Sequence, residues 1–173
     1  KVLTDSTVYV STGGGNTPPY TNWATAAADP RAAVALANAR VVITNGTYTM
    51  PTQLTIDRSI TVESVNGPEA TSLRQNTTYN RVAEIRPSAP GAILSGFTIR
   101  DGLTHVQRGG GAGVQMWAGL VTNCIIRNNR AMQSVVRNYR MTGCGAAIFG
   151  GTMVNCTIAK NDTGWDYCGG RGA

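Results

Sequence analysis

Three segments of this chain align without a gap: Ser95-Gly-Phe-Thr-Ile-Arg-Asp-Gly102, Thr122-Asn-Cys-Ile-Ile-Arg-Asn-Asn129 and Val154-Asn-Cys-Thr-Ile-Ala-Lys-Asn161. Arg58-Ser-Ile-Thr-Val-Glu-Ser-Val65 reads as a weaker fourth copy. A repeat that recurs in one chain direction limits the available folds sharply. A hairpin-built sandwich has no need of it. A solenoid does, because each coil lays its strand beside the equivalent strand of the previous coil, ~4.8 Å away. Side chains alternate across a strand, so the alignment predicts two inward columns. One is Ile60, Phe97, Cys124 and Cys156; the other is Val62, Ile99, Ile126 and Ile158. The steps along the first column, Ile60 to Phe97, Phe97 to Cys124 and Cys124 to Cys156, are unequal, so loops of different length leave one corner. The same register stacks Glu63, Arg100 and Arg127 on one outward face and sets Asp101 level with Asn128 and Lys160. Asn129 and Asn161 become equivalent, which predicts a short asparagine ladder.

A second unit supports the stacking. Gly110-Gly-Ala-Gly-Val114 precedes one Asn-Cys segment, Gly143-Cys-Gly-Ala-Ala-Ile148 precedes the next, and Cys168-Gly-Gly-Arg-Gly172 begins a third. Between these lie short strands, among them Arg40–Thr44, Gln53–Ile56, Ser59–Glu63, Val82–Ile85, Ala92–Leu94, Ala112–Met116 and Ala146–Phe149. Composition agrees. The 173 residues hold 22 Thr, 15 Val, 13 Asn and 21 Gly, a strand- and turn-forming mixture that argues against a helical bundle or coiled coil. Hydrophobic content of 42% is too high for a disordered chain. No apolar run approaches the ~18 residues of a membrane span. One helix is legible, Asp29 to about Asn38, with Asp as N-cap and Pro30 at the first helical position. The expectation is a single all-β domain, 1–173, folded as a right-handed parallel β-helix of five to seven coils. Residues 1–39 supply an N-terminal strand, Thr7–Ser11, a loop and a short capping α-helix; residues 40–173 supply the coils.

The chain resembles secreted bacterial right-handed parallel β-helix proteins of the pectate-lyase-like superfamily, in a subgroup carrying Asn-Cys-Thr-Ile and Gly-Gly-Gly repeats. The resemblance rests on Pro18-Pro-Tyr-Thr-Asn-Trp-Ala-Thr25, Val42-Ile-Thr-Asn-Gly-Thr-Tyr48, Thr61-Val-Glu-Ser-Val-Asn-Gly-Pro68, Leu94–Ile99, Gly109–Gly111 and the two Asn-Cys segments. It implies that the helix caps the N-terminal end of the stack and that the protein is extracellular. The first residues, Lys1-Val-Leu-Thr-Asp, carry no signal segment, so one is absent or already removed. The resemblance is strong for fold and weak for activity, because this fold hosts lyases, hydrolases, adhesins and spikes.

The resemblance implies clustered carboxylates, often with Ca²⁺ and an Arg or Lys base, for a lyase, and paired aspartates for a hydrolase. No Asp-Asp pair occurs here, and Asp101 stands apart from other carboxylates in the sequence. His105 is the single histidine, which removes His-carboxylate dyads and His-rich metal sites. No nucleophile-elbow or phosphate-loop motif is present. Cys124, Cys144, Cys156 and Cys168 form no Cys-x-x-Cys pair; Cys124 and Cys156 are expected as unbridged inward neighbours, and the state of Cys144 and Cys168 stays open. Sequons such as Asn155-Cys-Thr read as turn chemistry. The net charge is +6, with 13 Arg spread from Arg31 to Arg171, and lacks the clustered pattern of a nucleic-acid binder.

The functional expectation is an extracellular structural β-helix subunit that self-associates head to tail, with filaments as the extended form. Cys168, Gly169, Gly170, Arg171 and Gly172 would form its assembly edge, where no Pro or charged strand blunts pairing. No catalytic site, metal or cofactor is expected, nor a nucleic-acid partner or membrane span. The alternative is a polysaccharide lyase, hydrolase or glycan-binding β-helix, with Glu63, Arg100, Arg127 and Asp101 contacting an anionic polysaccharide.

Overall fold

A computed structural model describes residues 7–76, 79–105, 110–132 and 145–162. The chain opens with β1 (Val8–Val10) and α1 (Pro30–Leu36) and then winds. The first coil holds β2 (Arg40–Ile43), β3 (Gly46–Met50) and β4 (Leu54–Ile56). The second holds β5 (Thr61–Ser64), β6 (Thr71–Gln75) and β7 (Ala83–Ile85). The third adds a corner strand: β8 (Ile93–Ser95), β9 (Thr98–Arg100), β10 (Leu103–His105) and β11 (Val114–Met116). The fourth repeats it as β12 (Leu120–Thr122), β13 (Ile125–Arg127), β14 (Arg130–Met132) and β15 (Ala146–Ile148). The fifth contributes β16 (Thr152–Val154) and β17 (Thr157–Ala159).

Among the described residues all strand pairs are parallel, and equivalent strands stack into three long sheets. Their orders are β1-β2-β5-β8-β12-β16, β3-β6-β9-β13-β17 and β4-β7-β11-β15, with a small β10-β14 ladder at one corner. The molecule is a parallel β-solenoid of about five turns. Arg40, Thr61, Ile93, Leu120 and Thr152 hold equivalent places on successive turns, and the turn from Arg40 to Thr61 is the shortest of them.

That short turn corrects the phase of the fourth repeat. Arg58–Val65 is not equivalent to Ser95–Gly102. Val62 stacks on Val41 and Leu94, and Leu94 stacks on Val121, all in the first sheet. The column through Ile99, Ile126 and Ile158 continues instead to Leu73 and Tyr48. Period-two alternation fixes which residues face inward but not which side of the coil a strand occupies. Ile60-Thr-Val62 and Phe97-Thr-Ile99 have the same alternation on different sides.

The core is narrow and runs the length of the stack. Ile43, Leu54, Ile56, Leu73, Ile85, Leu94, Phe97, Ile99, Met116 and Ile126 are fully buried in it. The corners follow from residues that tolerate a left-handed backbone. Gly96, Asn123 and Asn155 turn the chain from the first sheet into the second, at φ of 83°, 53° and 50°. Asp101, Asn128 and Lys160 turn it out of the second, at 61°, 55° and 53°. The Asn-Cys-x-Ile motif is therefore a corner asparagine followed by alternate inward side chains.

The asparagine ladder forms as the alignment predicts. Asn129 is fully buried, and its backbone N–H and Nδ2 both donate to Asn161 Oδ1 at 3.0 Å. Asn129 Nδ2 also reaches the carbonyls of Ile99 (3.1 Å) and Arg127 (3.0 Å), while its Oδ1 accepts from Gly102 N at 2.9 Å. Asn161 Nδ2 donates to Ile126 O at 2.9 Å.

Helix α1 starts where the sequence says: Asp29 Oδ1 accepts from Arg31 N at 2.9 Å and Pro30 is the first helical residue. It ends at Leu36, short of Asn38, where Ala37 turns extended to feed β2. Arg58 Nη2 donates to Val34 O at 2.8 Å, satisfying a carbonyl of the last turn. Ala33 and Val34 are buried against the head of the stack, beside β1, β2 and β4.

Candidate functional site

The outward face of the second sheet carries an arginine on three successive coils. Arg74 is the register partner of Arg100, and Arg100 of Arg127. Stacked ~4.8 Å apart, like charges repel unless an anion intervenes. Asp101 is that anion, placed at the corner by its left-handed backbone. Its Oδ2 lies 2.7 Å from Arg100 Nη1 and 3.2 Å from Arg74 Nε. Arg100 Nε also donates to Ser72 Oγ at 3.0 Å. Arg127 is exposed and has no ion-pair partner among the described residues.

Glu63 does not join this group, contrary to the sequence register. It lies in the first sheet, opposite Val42 and Ser95, and pairs with Arg40 of the neighbouring coil. Arg74 occupies the place expected for Glu63. Glu84 lies on the third sheet, bonded to Gln53 Nε2 at 2.7 Å and 3.5 Å from Arg86 Nε. Asp101, Glu63 and Glu84 therefore sit on different sides of the coil, where they cannot act together on one substrate atom. Among the described residues no group of three His, Cys, Asp or Glu gathers to hold a metal. His105 lies in β10, paired with Met132 of β14.

Cys124 and Cys156 are free and stack on adjacent coils, one rung before the Ile125 and Thr157 pair. Cys124 is buried and Cys156 half-buried. The Cys124 thiol donates to Thr122 O at 3.2 Å and the Cys156 thiol to Val154 O at 3.2 Å. The neighbouring Cys156 sulfur first, and burial second, push the Cys124 thiol above its usual range. At Cys156 the interaction with Cys124 outweighs burial and brings the thiol down to about 7. Cys144, Cys168, Gly169, Gly170, Arg171 and Gly172 lie outside the described residues.

The two ends of the stack differ. At the head, the free edge of β1 is already used: Tyr9 N donates to Tyr20 O, Ser11 N to Ala27 O, and Ala27 N to Tyr9 O. At the other end, β15, β16 and β17 are edge strands among the described residues. Ile148 stacks on the buried Met116 yet is 51% exposed, and Ile158 stacks on the buried Ile126 yet is 37% exposed. Phe149 lies there too, stacked on Trp117 with ring centroids 4.2 Å apart. The sequence shows Ile158 as inward; it does not show that it is uncovered.

Two open grooves flank the head. One, of about 550 Å³, runs between α1 and β4 and is lined by Arg31, Thr52, Gln53, Asp57 and Arg58. The other, of about 460 Å³, is lined by Trp23, Thr44, Asn45, Val65 and Asn66. Neither is visible in the sequence, because each wall is assembled from segments on different turns of the chain.

The fold defines the class, a parallel β-solenoid with one short helix near its start. Comparison with protein-family models, curated proteins and solved structures gives no match.

Proposed function

We propose that this chain is an extracellular structural module, a rigid β-solenoid that associates with itself through the open end of its coil stack. The observation that carries the reading is the exposure of Ile148 and Ile158, inward-facing residues whose stacking partners are buried. An apolar strand edge of this kind templates pairing with another chain. The head offers no equivalent edge in the first sheet, since β1 is bonded to Tyr20 and Ala27. We take contact between two open ends, which closes as a two-fold dimer, over head-to-tail growth through β3 and β4, the head-side end strands of the other two sheets, of which β4 has α1 packed beside it. The Thr/Asn/Gly-rich, Lys-poor composition supports an extracellular setting. Sedimentation velocity from low to high micromolar concentration tests the association. Native protein should show a concentration-dependent dimer, and Ile158→Lys should be monomeric with an unchanged circular dichroism spectrum. A native protein that stays monomeric, or a variant that still dimerises, would refute it.

A second reading has its own observation, the Arg74, Arg100 and Arg127 ladder, in which Asp101 neutralises only part of the charge. It fits contact with an anionic polysaccharide along the coil axis. Polygalacturonate retention that falls several-fold in Arg127→Ala would support this reading, and unchanged retention would remove it.

A further inference from the structure

We propose that the groove beside the head of the stack, walled by Trp23, Val65, Asn45 and Asn66, is a binding subsite for a neutral sugar unit. Most exposed large apolar side chains have a structural account. Ile148, Phe149, Val154 and Ile158 belong to the open end, and Trp117 stacks on Phe149. Trp23 and Val65 lie elsewhere, 43% and 50% exposed, and converge on one groove. Exposed apolar groups that converge in this way mark a binding surface.

The indole is held in place. Tyr9 on β1 meets Trp23 in an edge-to-face contact, centroids 4.4 Å apart and planes at 66°. The turn beneath is tied by Thr25 N to Asn22 Oδ1 at 3.0 Å. A fixed, half-bare aromatic ring loses little side-chain entropy when a ligand covers it.

The polar wall is equally specific. Asn45 and Asn66 follow β2 and β5 on adjacent coils, and Asn66 Nδ2 donates to Asn45 Oδ1 at 2.9 Å. That bond orients both carboxamides. It leaves Asn45 Nδ2 as donor and Asn66 Oδ1 as acceptor, each without a hydrogen-bond partner among the described residues. Among the described residues no ionisable side chain lines the groove. An apolar patch beside a paired donor and acceptor matches a pyranose, which has a C–H face and a rim of hydroxyls. The lack of charge selects against uronates and phosphates. The volume of about 460 Å³ falls within the ~300–1,000 Å³ of small-ligand clefts.

The test is NMR titration of the native chain with cello-, manno- and chito-tetraose, using polygalacturonate as an acidic comparator. The readouts are the Trp23 indole N–H and the Asn45 and Asn66 side-chain amides. At least one neutral tetraose should shift all three saturably. Asn45→Ala and Asn66→Ala should each weaken that binding about tenfold or more while leaving the other amide resonances in place. Trp23→Ala should abolish it, with Trp23→Phe retaining part. No saturable shift with any neutral tetraose would overturn the proposal. So would shifts that persist unchanged in the two asparagine variants, or binding confined to polygalacturonate.

Discussion

At the scale of single residues, stacking turns chemically ordinary side chains into unequal pairs. Cys124 and Cys156 hold equivalent positions, yet their thiols move in opposite directions because the two sulfurs interact and only one is deeply buried. As pH rises through about 7, Cys156 becomes thiolate, the form that reacts with alkylating reagents. Peptide-resolved iodoacetamide labelling of native protein should therefore modify Cys156 with a midpoint near pH 7, ahead of Cys124. Cys124→Ala removes the neighbouring sulfur that lowers Cys156, so the Cys156 midpoint should climb toward the ~8.5 of a free thiol. An unmoved midpoint would show that Cys124 does not set it. The asparagines are unequal in the same way. Asn129→Ala leaves several buried backbone groups unpaired and should cost about 2–3 kcal/mol in urea unfolding. Asn161→Ala, at a half-exposed position, should cost visibly less.

At the scale of elements, the same gradient runs down a column. Ile126 and Ile158 are register partners in β13 and β17, one fully buried and the other 37% exposed. Ile126→Ala should destabilise by about 3 kcal/mol, a transfer loss plus a cavity. Ile158→Ala in the monomer should cost about 1 kcal/mol or less, and equal costs would mean that the open end is covered. Helix α1 is short, and its N-cap matters accordingly: Asp29→Ala should cost about 1 kcal/mol by thermal or urea melts. The repeat alignment did not show that Asn123 and Asn155 turn a corner, but the Asp29-Pro30 start was legible because it is local backbone chemistry. The pairing of Glu63 with Arg40 was not, because it depends on the turn from Arg40 to Thr61, which is shorter than any interval in the visible repeats. Strands β3, β6, β10, β12, β14 and β16 escaped, β6 and β16 for a related reason. Thr71-Ser-Leu-Arg-Gln75 has one large apolar residue, and Thr152–Val154 is very short, so stacking on neighbours rather than intrinsic pattern makes them strands.

At the scale of the whole molecule, the solenoid is polar in construction, with α1 and the bonded edge of β1 at the head and an apolar, unpaired coil at the other end of the described residues. The prediction that follows concerns orientation as much as affinity. Five coils at ~4.8 Å give a stack about 24 Å tall. Pulsed dipolar spectroscopy on native-length protein, spin-labelled through a non-thiol amino acid, reads which ends meet. Thr157 serves at the open end and Gly13 at the head, both exposed, and a Cβ at Gly13 meets nothing within 4 Å. End-to-end closure through the open coils predicts a short intermolecular distance, on the order of 20 Å, for the Thr157 label. The Gly13 label should give about 50 Å or more, roughly twice the stack height. Short distances only between mixed Gly13 and Thr157 labels would mean head-to-tail growth, and the absence of any intermolecular coupling at high micromolar concentration would contradict self-association outright.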